Sequence, residues 1–122
     1  REKCRLLAYS PLGFGTLTGK YLQGKASANA RLNLSSKYSR YSNASGLKAA
    51  ERYMRLAGKY DINPTHMALA FAASKPFVTS VIIGATSKTQ LDHNLRACDI
   101  ELSRELTRAI DAVHEEISNP CP

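Results

Sequence analysis

Val78-Thr-Ser-Val-Ile-Ile-Gly-Ala-Thr-Ser-Lys-Thr-Gln90 is the stretch from which the fold is read. Residues 78–83 are β-branched apart from one serine, and Gly84 bounds them, so they read as a strand. Ser87-Lys-Thr-Gln90 has the spacing of a capping box, with a hydroxyl for the amide three residues on and a glutamine that reaches back. Strand, glycine turn and capped helix in immediate succession make a βα unit. Upstream, Arg5-Leu-Leu-Ala-Tyr-Ser10 reads as a short buried strand stopped by Pro11, and Gly13, Gly15 and Gly19 punctuate a tight loop over 11–19.

Two helices separate the strands. One is expected to begin near Ser45 or Gly46, with Leu47, Ala50, Met54 and Ala57 on one face and Gly58 at its end. Asn63-Pro64 supplies an N-cap and a first-turn proline for the second, 64–74, which is apolar nearly all round and stops before Pro76. Beyond Gln90, Leu91, Leu95 and Cys98 form the expected inner face of a helix over 87–98. Ser103 caps a last helix with the stripe Leu106, Ile110, Val113 and Ile117. The class is therefore α/β, with parallel strands and a helical crossover. Such a pair cannot cover its own edges, so further strands are expected beyond this chain. The polar, aperiodic stretch 21–45 is long for a structureless loop and reads as a functional flap.

The chain has 122 residues, 43% of them apolar, enough for a packed core without metal or disulfide staples. It is about half of the ~250 residues of a large single-domain barrel. It opens at Arg1 and enters a strand within seven residues, as a chain cut in mid-fold would. No apolar run approaches the ~18 residues of a transmembrane helix. Cys4, Cys98 and Cys121 include no CxxC pair, which points to no zinc site, no disulfide framework and a reducing compartment. Charge is asymmetric: twelve basic against two acidic residues in 1–60, five against eight in 61–122. The basic half should attract an anion, either a phosphorylated cofactor, a nucleic acid or an acidic partner, unless it is only a solvated face.

Two loops carry candidate chemistry. Ser10-Pro-Leu-Gly-Phe-Gly-Thr-Leu-Thr-Gly-Lys20 superficially suggests a phosphate loop. Phe14 stands where a Walker A needs its first glycine, however, and Tyr21 replaces the metal-binding hydroxyl. What survives is a glycine loop at a strand's C-terminal end, with Ser10, Thr16 and Lys20 as donors to a phosphate. Ile83-Gly-Ala-Thr-Ser87 leads into a helix N-terminus whose free amides and dipole favour an anion, with Lys88, Gln90 and Asn94 on its first two turns. Each loop alone has a plain structural reading, as a turn or an ordinary cap. Together, at the C-terminal ends of parallel strands, they would share the functional rim of an α/β fold. His66, His93 (on an exposed face) and His114 have no metal-ligand or base–nucleophile spacing and read as structural or surface groups. Tyr38, Arg40 and Tyr41 interleave rings and cations that can stack bases, but belong more simply to the flap.

Ala8-Tyr-Ser-Pro-Leu-Gly13, Leu17-Thr-Gly-Lys-Tyr21, Pro64-Thr-His-Met-Ala-Leu-Ala70, Val81-Ile-Ile-Gly-Ala-Thr86 and Gln90-Leu-Asp-His-Asn94 resemble, in order, the C-terminal part of an aldo-keto reductase. The likeness is to the Tas-like NADP(H)-dependent branch and, more distantly, to potassium channel β subunits. It covers residues 1–122 as one partial domain. It implies the C-terminal portion of a (β/α)8 TIM barrel, with 5–10 as strand seven, 78–83 as strand eight and 21–45 as the loop that covers the cofactor. By the same resemblance Tyr9 stacks on the nicotinamide. Ser10, Leu12 and Gly13 line the pyrophosphate, with Lys20 and Arg31 reaching over it. Gly84, Thr86, Gln90 and Asn94 hold the adenosine and its 2′-phosphate.

Departures from the family pattern qualify this. Many members carry an arginine where Gln90 stands, so NADP(H) is expected with NAD(H) as the alternative. His93 occupies a place where a carboxylate often contacts adenine, and that role is not transferred. The family's catalytic Asp, Tyr, Lys and His lie on strands upstream of Arg1, so no catalytic residue is expected within the chain. It should be inactive and poorly folded alone, while the whole protein would reduce a small carbonyl compound. A cytoplasmic location is expected, with an organelle such as the plastid as the alternative. No membrane and no nucleic-acid partner is expected. The competing functions are a non-catalytic module that binds an anion, a nucleic acid or a partner, and a channel-associated regulatory β-type subunit.

Overall fold

The four longer helices each begin where a side chain takes up an unpaired backbone amide. The structure, a computed structural model, describes residues 4–22, 24–34 and 40–122. In chain order it contains β1 (Leu6–Tyr9), two short 3-10 turns over Gly13–Thr18, a one-turn helix α1 (Arg31–Leu34), α2 (Ala44–Lys59), α3 (Pro64–Ala73), β2 (Val78–Ile82), α4 (Lys88–Leu95) with a 3-10 turn over Arg96–Asp99, and α5 (Arg104–Glu116).

Asn63, Ser87 and Ser103 cap α3, α4 and α5 as the sequence implies, accepting from Thr65, Gln90 and Leu106 amides at 2.9, 3.2 and 3.1 Å. α2 starts earlier than expected. Asn43 caps it by accepting from Gly46 N at 2.8 Å, and Ser45 lies inside the first turn. The stretch 21–45 is likewise less uniform than expected, since it contains α1 and the beginning of α2.

β1 and β2 pair in parallel, with Leu6 against Val78, Ala8 against Val81 and Tyr9 against Ile82, and one irregularity between Leu6 and Leu7. The crossover between them contains α2 and α3, as the β/α alternation requires. The core lies among the helices. Ala57 of α2, Met67 of α3 and Leu106 and Ile110 of α5 are buried together, ringed by Tyr53, Leu56, Tyr60, Ile62, Phe71 and Leu102.

Two expectations of burial fail. β1 is not a buried strand, because Leu6, Leu7 and Tyr9 are 50%, 58% and 71% exposed. Among the described residues its only ladder partner is β2. On α4 the expected inner face of Leu91, Leu95 and Cys98 is exposed, and Asn94 and Ala97 are buried instead. The helix turns its Asn94–Ala97 side to α3 and β2, and Leu95 and Cys98 line an apolar cleft of about 300 Å3 beside β2. No described helix is long and apolar enough to cross a membrane.

Candidate functional site

Parallel pairing has a direct positional consequence. Tyr9 and Ile82 are ladder partners, so the chain leaves β1 and β2 side by side at their C-terminal ends. Residues 10–19 and 83–90 both start from that edge.

The first loop is tightly wound. Gly13 N donates to Ser10 O, Gly15 N and Leu17 N to Leu12 O, and Gly19 N to Thr16 O. Those four amides are therefore engaged within the loop, and its appeal to an anion rests more on its cations than the glycine spacing suggests. Lys20 folds back over it, with Cε only 2.7 Å from where a Cβ on Gly15 would stand. Its ammonium lies 5.1 Å from the Tyr21 ring centre. Arg31 opens α1, and its guanidinium lies 5.0 Å over the Phe14 ring. The Tyr21 hydroxyl accepts from Leu32 N at 3.2 Å and donates to Phe14 O at 3.4 Å, so it ties α1 to the loop. Lys20 and Arg31, eleven positions apart, thus meet adjacent loop residues, Gly15 and Phe14.

Ser10 and Phe14 adopt φ of +53° and +55°, a left-handed conformation that costs a non-glycine residue about 1–2 kcal/mol. Surrounding contacts must hold such backbone in place. Tyr41 supplies several, with its ring edge-on to Phe14 at 4.8 Å between centres and its carbonyl accepting from Thr16 Oγ1 at 3.4 Å. Beneath the loop, Pro11 and Leu17 roof an apolar cavity of about 200 Å3 floored by Met67, Phe71 and Ile110. Tyr53 forms one wall. Its burial pushes the phenol above the ordinary tyrosine value, and Asp111 adds to the rise.

The second loop is open. Gly84 is exposed, with no atom within 4 Å of where its Cβ would stand. Gln90 reaches back one residue beyond the usual capping-box partner, and its Oε1 accepts from both the amide and the hydroxyl of Thr86 at 3.0 Å. That leaves the side-chain NH2 of the exposed Gln90 as a donor. The amides of Lys88 and Thr89 lie in the first turn, where no helical carbonyl reaches them. Asn94 is the exception in this group. It is buried against the cleft beside β2 instead of sharing the exposed face of Gln90.

The structure thus gathers Ser10, Leu12, Gly13, Lys20 and Arg31 around one loop and Gly84, Thr86 and Gln90 around its neighbour, with Tyr9 exposed on the edge between them. Phe14 and Tyr41 do more than their sequence positions suggested. Tyr38 lies outside the described residues, and the Arg40 guanidinium lies 5.8 Å over the Tyr41 ring. His93 is half-buried, not on an open face. It stacks on His66 with ring centres 4.3 Å apart, and His66 Nε2 donates to the His93 carbonyl at 2.8 Å. This contact joins α3 to α4. Among the described residues no group of His, Cys, Asp and Glu is arranged to hold a metal ion.

Parallel strands joined through helices, with two polar loops leaving one sheet edge, define an α/β protein of the kind that binds ligands at its strand ends. The chain belongs to the aldo/keto reductase family, whose model matches residues 2–115. It is 46% identical over 121 residues to Protein tas of Escherichia coli (strain K12), which covers 99% of this chain and 35% of that protein. It is 35% identical over 114 residues to a probable voltage-gated potassium channel subunit beta of Oryza sativa subsp. japonica, covering 88% of this chain and 34% of that one. An aldo-keto reductase of Babesia bovis is 32% identical over 120 residues, covering 94% and 42%. The chain spans roughly a third of the length of the curated relatives it matches.

Proposed function

We propose that this chain is the cofactor-holding part of an NADP(H)-dependent aldo-keto reductase, with β1 and β2 as strands seven and eight of a (β/α)8 barrel. The observation that carries the reading is the pairing of Tyr9 with Ile82, which starts two anion-suited loops from neighbouring strand ends. Tyr9, 71% exposed on that edge, offers a ring face for the nicotinamide. Lys20 and Arg31 clamp the pyrophosphate against the loop of Ser10, Leu12 and Gly13, and 21–45 folds over it. Gly84, Thr86 and Gln90 hold the adenosine and its 2′-phosphate at the α4 N-terminus. Asn94 contributes only where the ligand reaches the inner side of α4.

The donor set suits the group. A dinucleotide phosphate presents three anionic phosphates, and the two loops offer two cations, a helix N-terminus and neutral donors. When bound, the cofactor supplies hydride to a carbonyl carbon. On this reading the acid that protonates the carbonyl oxygen is not among these residues, and the whole protein reduces a small carbonyl compound. The test is NADPH titration of the full-length protein by nicotinamide fluorescence, alongside NADPH oxidation by the 122-residue chain with an aldehyde. Binding by the former and no turnover by the latter are expected. Turnover by the chain alone that disappears on mutating one of its own residues would overturn the division of labour.

A further inference from the structure

A line of contacts runs from the C-terminal tail to the first loop, and Tyr41 stands in the middle of it. On the loop side Tyr41 meets three nearby positions. Gly13, at φ +52°, lies so close that an added Cβ would sit 3.3 Å from Tyr41 Cδ1. Phe14 meets its ring edge-on, and Thr16 donates to its carbonyl. On the tail side the adjacent Arg40 donates from Nε to the Cys121 carbonyl at 2.8 Å. Cys121 also packs on the first turn of α2, its Sγ 2.8 Å from where a Gly46 Cβ would stand, and Tyr41 O lies 3.4 Å from the same point. Only a residue without a side chain at 46 lets the tail come this close. An ion pair between Arg52 of α2 and Glu116 of α5 holds the helix end from which the tail departs.

We propose that Tyr41 is a positioning residue for loop 10–19, kept in place by the C-terminal tail through Arg40. The left-handed backbone at Phe14 needs neighbours to hold it, and Tyr41 touches Gly13 and Phe14, both at positive φ, and Thr16 just beyond the kink. The same kink carries Phe14 beneath Arg31 and Gly15 beneath Lys20. A displaced Tyr41 therefore moves the surface on which both cations rest. The inference rests on reading this loop as the pyrophosphate site, but the shape of the loop can be followed with no cofactor present.

The experiment is residue-level hydrogen exchange of the full-length protein without ligand, joined to NADPH dissociation constants, for Tyr41→Ala, Tyr41→Phe, Arg40→Ala and Lys20→Ala. Tyr41→Ala should speed exchange of the Gly13–Gly19 amides about tenfold while Met67 and Ile110 in the core keep their protection. It should weaken NADPH roughly five- to tenfold. Tyr41→Phe should restore both within about twofold, because ring and carbonyl make the contacts, and Arg40→Ala should fall between. Unchanged loop exchange in Tyr41→Ala, with NADPH weakened by Lys20→Ala, overturns the positioning role and leaves the cofactor reading standing. Faster exchange throughout the core also overturns it, as a plain loss of stability. Faster loop exchange in Tyr41→Ala, with NADPH binding indifferent to Lys20→Ala, supports the brace and removes the pyrophosphate reading.

Discussion

Loops 10–19 and 83–90 leave the same sheet edge from neighbouring strands, yet they are built on opposite principles. The first is wound on its own carbonyls, carries two strained non-glycine residues and is held by Tyr21, Arg31 and Tyr41. The second is exposed from Gly84 to Gln90, and the contacts that shape it lie between residues three or four apart. Glycine therefore means different things in the two. At Gly13 it is demanded by conformation and by a ring. At Gly84 it leaves open space. A loop held by distant parts of the chain has a shape set by tertiary structure, whereas a loop held by its own helix cap is set locally.

The largest effect expected from this contrast is electrostatic. Removing Lys20 from the braced loop takes away a charge-assisted contact of roughly 1.5–3 kcal/mol. Lys20→Ala should therefore weaken NADPH and NADH alike, by at least about tenfold in their dissociation constants. Loss confined to NADPH would place the 2′-phosphate, and not the pyrophosphate, at this loop.

Stability should separate the two glycines. Gly13→Ala places a side chain at positive φ against Tyr41 and should cost about 1–3 kcal/mol in denaturant unfolding of the full-length protein. Gly84→Ala has room and should stay within about 0.5 kcal/mol. Equal costs would erase the distinction between a braced and an open loop.

Specificity should be adjustable at the open loop alone. Gln90→Arg exchanges a neutral donor for a charged one while giving up the acceptor for Thr86. It should tighten NADPH by about one kcal/mol, roughly fivefold, and leave NADH nearly unchanged. A shift of equal size for both cofactors would move the adenosine site off α4.

The smallest effect is on the alkaline limb of stability. Tyr53 supports the braced loop from below, and its phenol is raised above the ordinary tyrosine value, chiefly by burial. Above that ordinary value the unfolded chain has lost a proton that the folded one keeps, so unfolding becomes easier as pH climbs. Tyr60 has the same sign, from desolvation and its bond to Glu105. Thermal unfolding followed from pH 8 to about 11 should fall less steeply in Tyr53→Phe than in the parent. An unaltered slope would assign the limb to other groups.

Locally encoded features were the ones legible in the sequence. Asn63, Ser87 and Ser103 cap their helices because each meets an amide two or three residues away, a distance that a spacing pattern contains. The α/β alternation is likewise written in local patterns, and the parallel pairing was inferred from it through the helical crossover. Periodicity found the Leu91–Leu95–Cys98 stripe but is silent on what covers a stripe, and α4 buries Asn94 and Ala97 instead. The start of α2 was expected near Ser45 or Gly46, with no cap assigned, because several residues there can cap and only backbone geometry selects Asn43. In the site, Lys20 was legible from the glycine loop itself, and Arg31 was named from family likeness. Tyr41 was not, since its ring meets Phe14 across a separation that leaves no local signature, and nothing about a phenylalanine announces a left-handed backbone.

The pairing of Tyr9 with Ile82 also makes the edge a length gauge. Strands in a ladder lie about 4.8 Å apart and do not spread. On the proposed reading, two weak anion subsites on that ladder act as one bidentate host. A ligand with a single phosphate fills one loop and leaves the other to water. A ligand with phosphates at both ends engages the second loop intramolecularly, at a high effective concentration, and gains avidity without any new contact. Discrimination between a mononucleotide and a dinucleotide would then follow from strand spacing, before any base or ring is recognised.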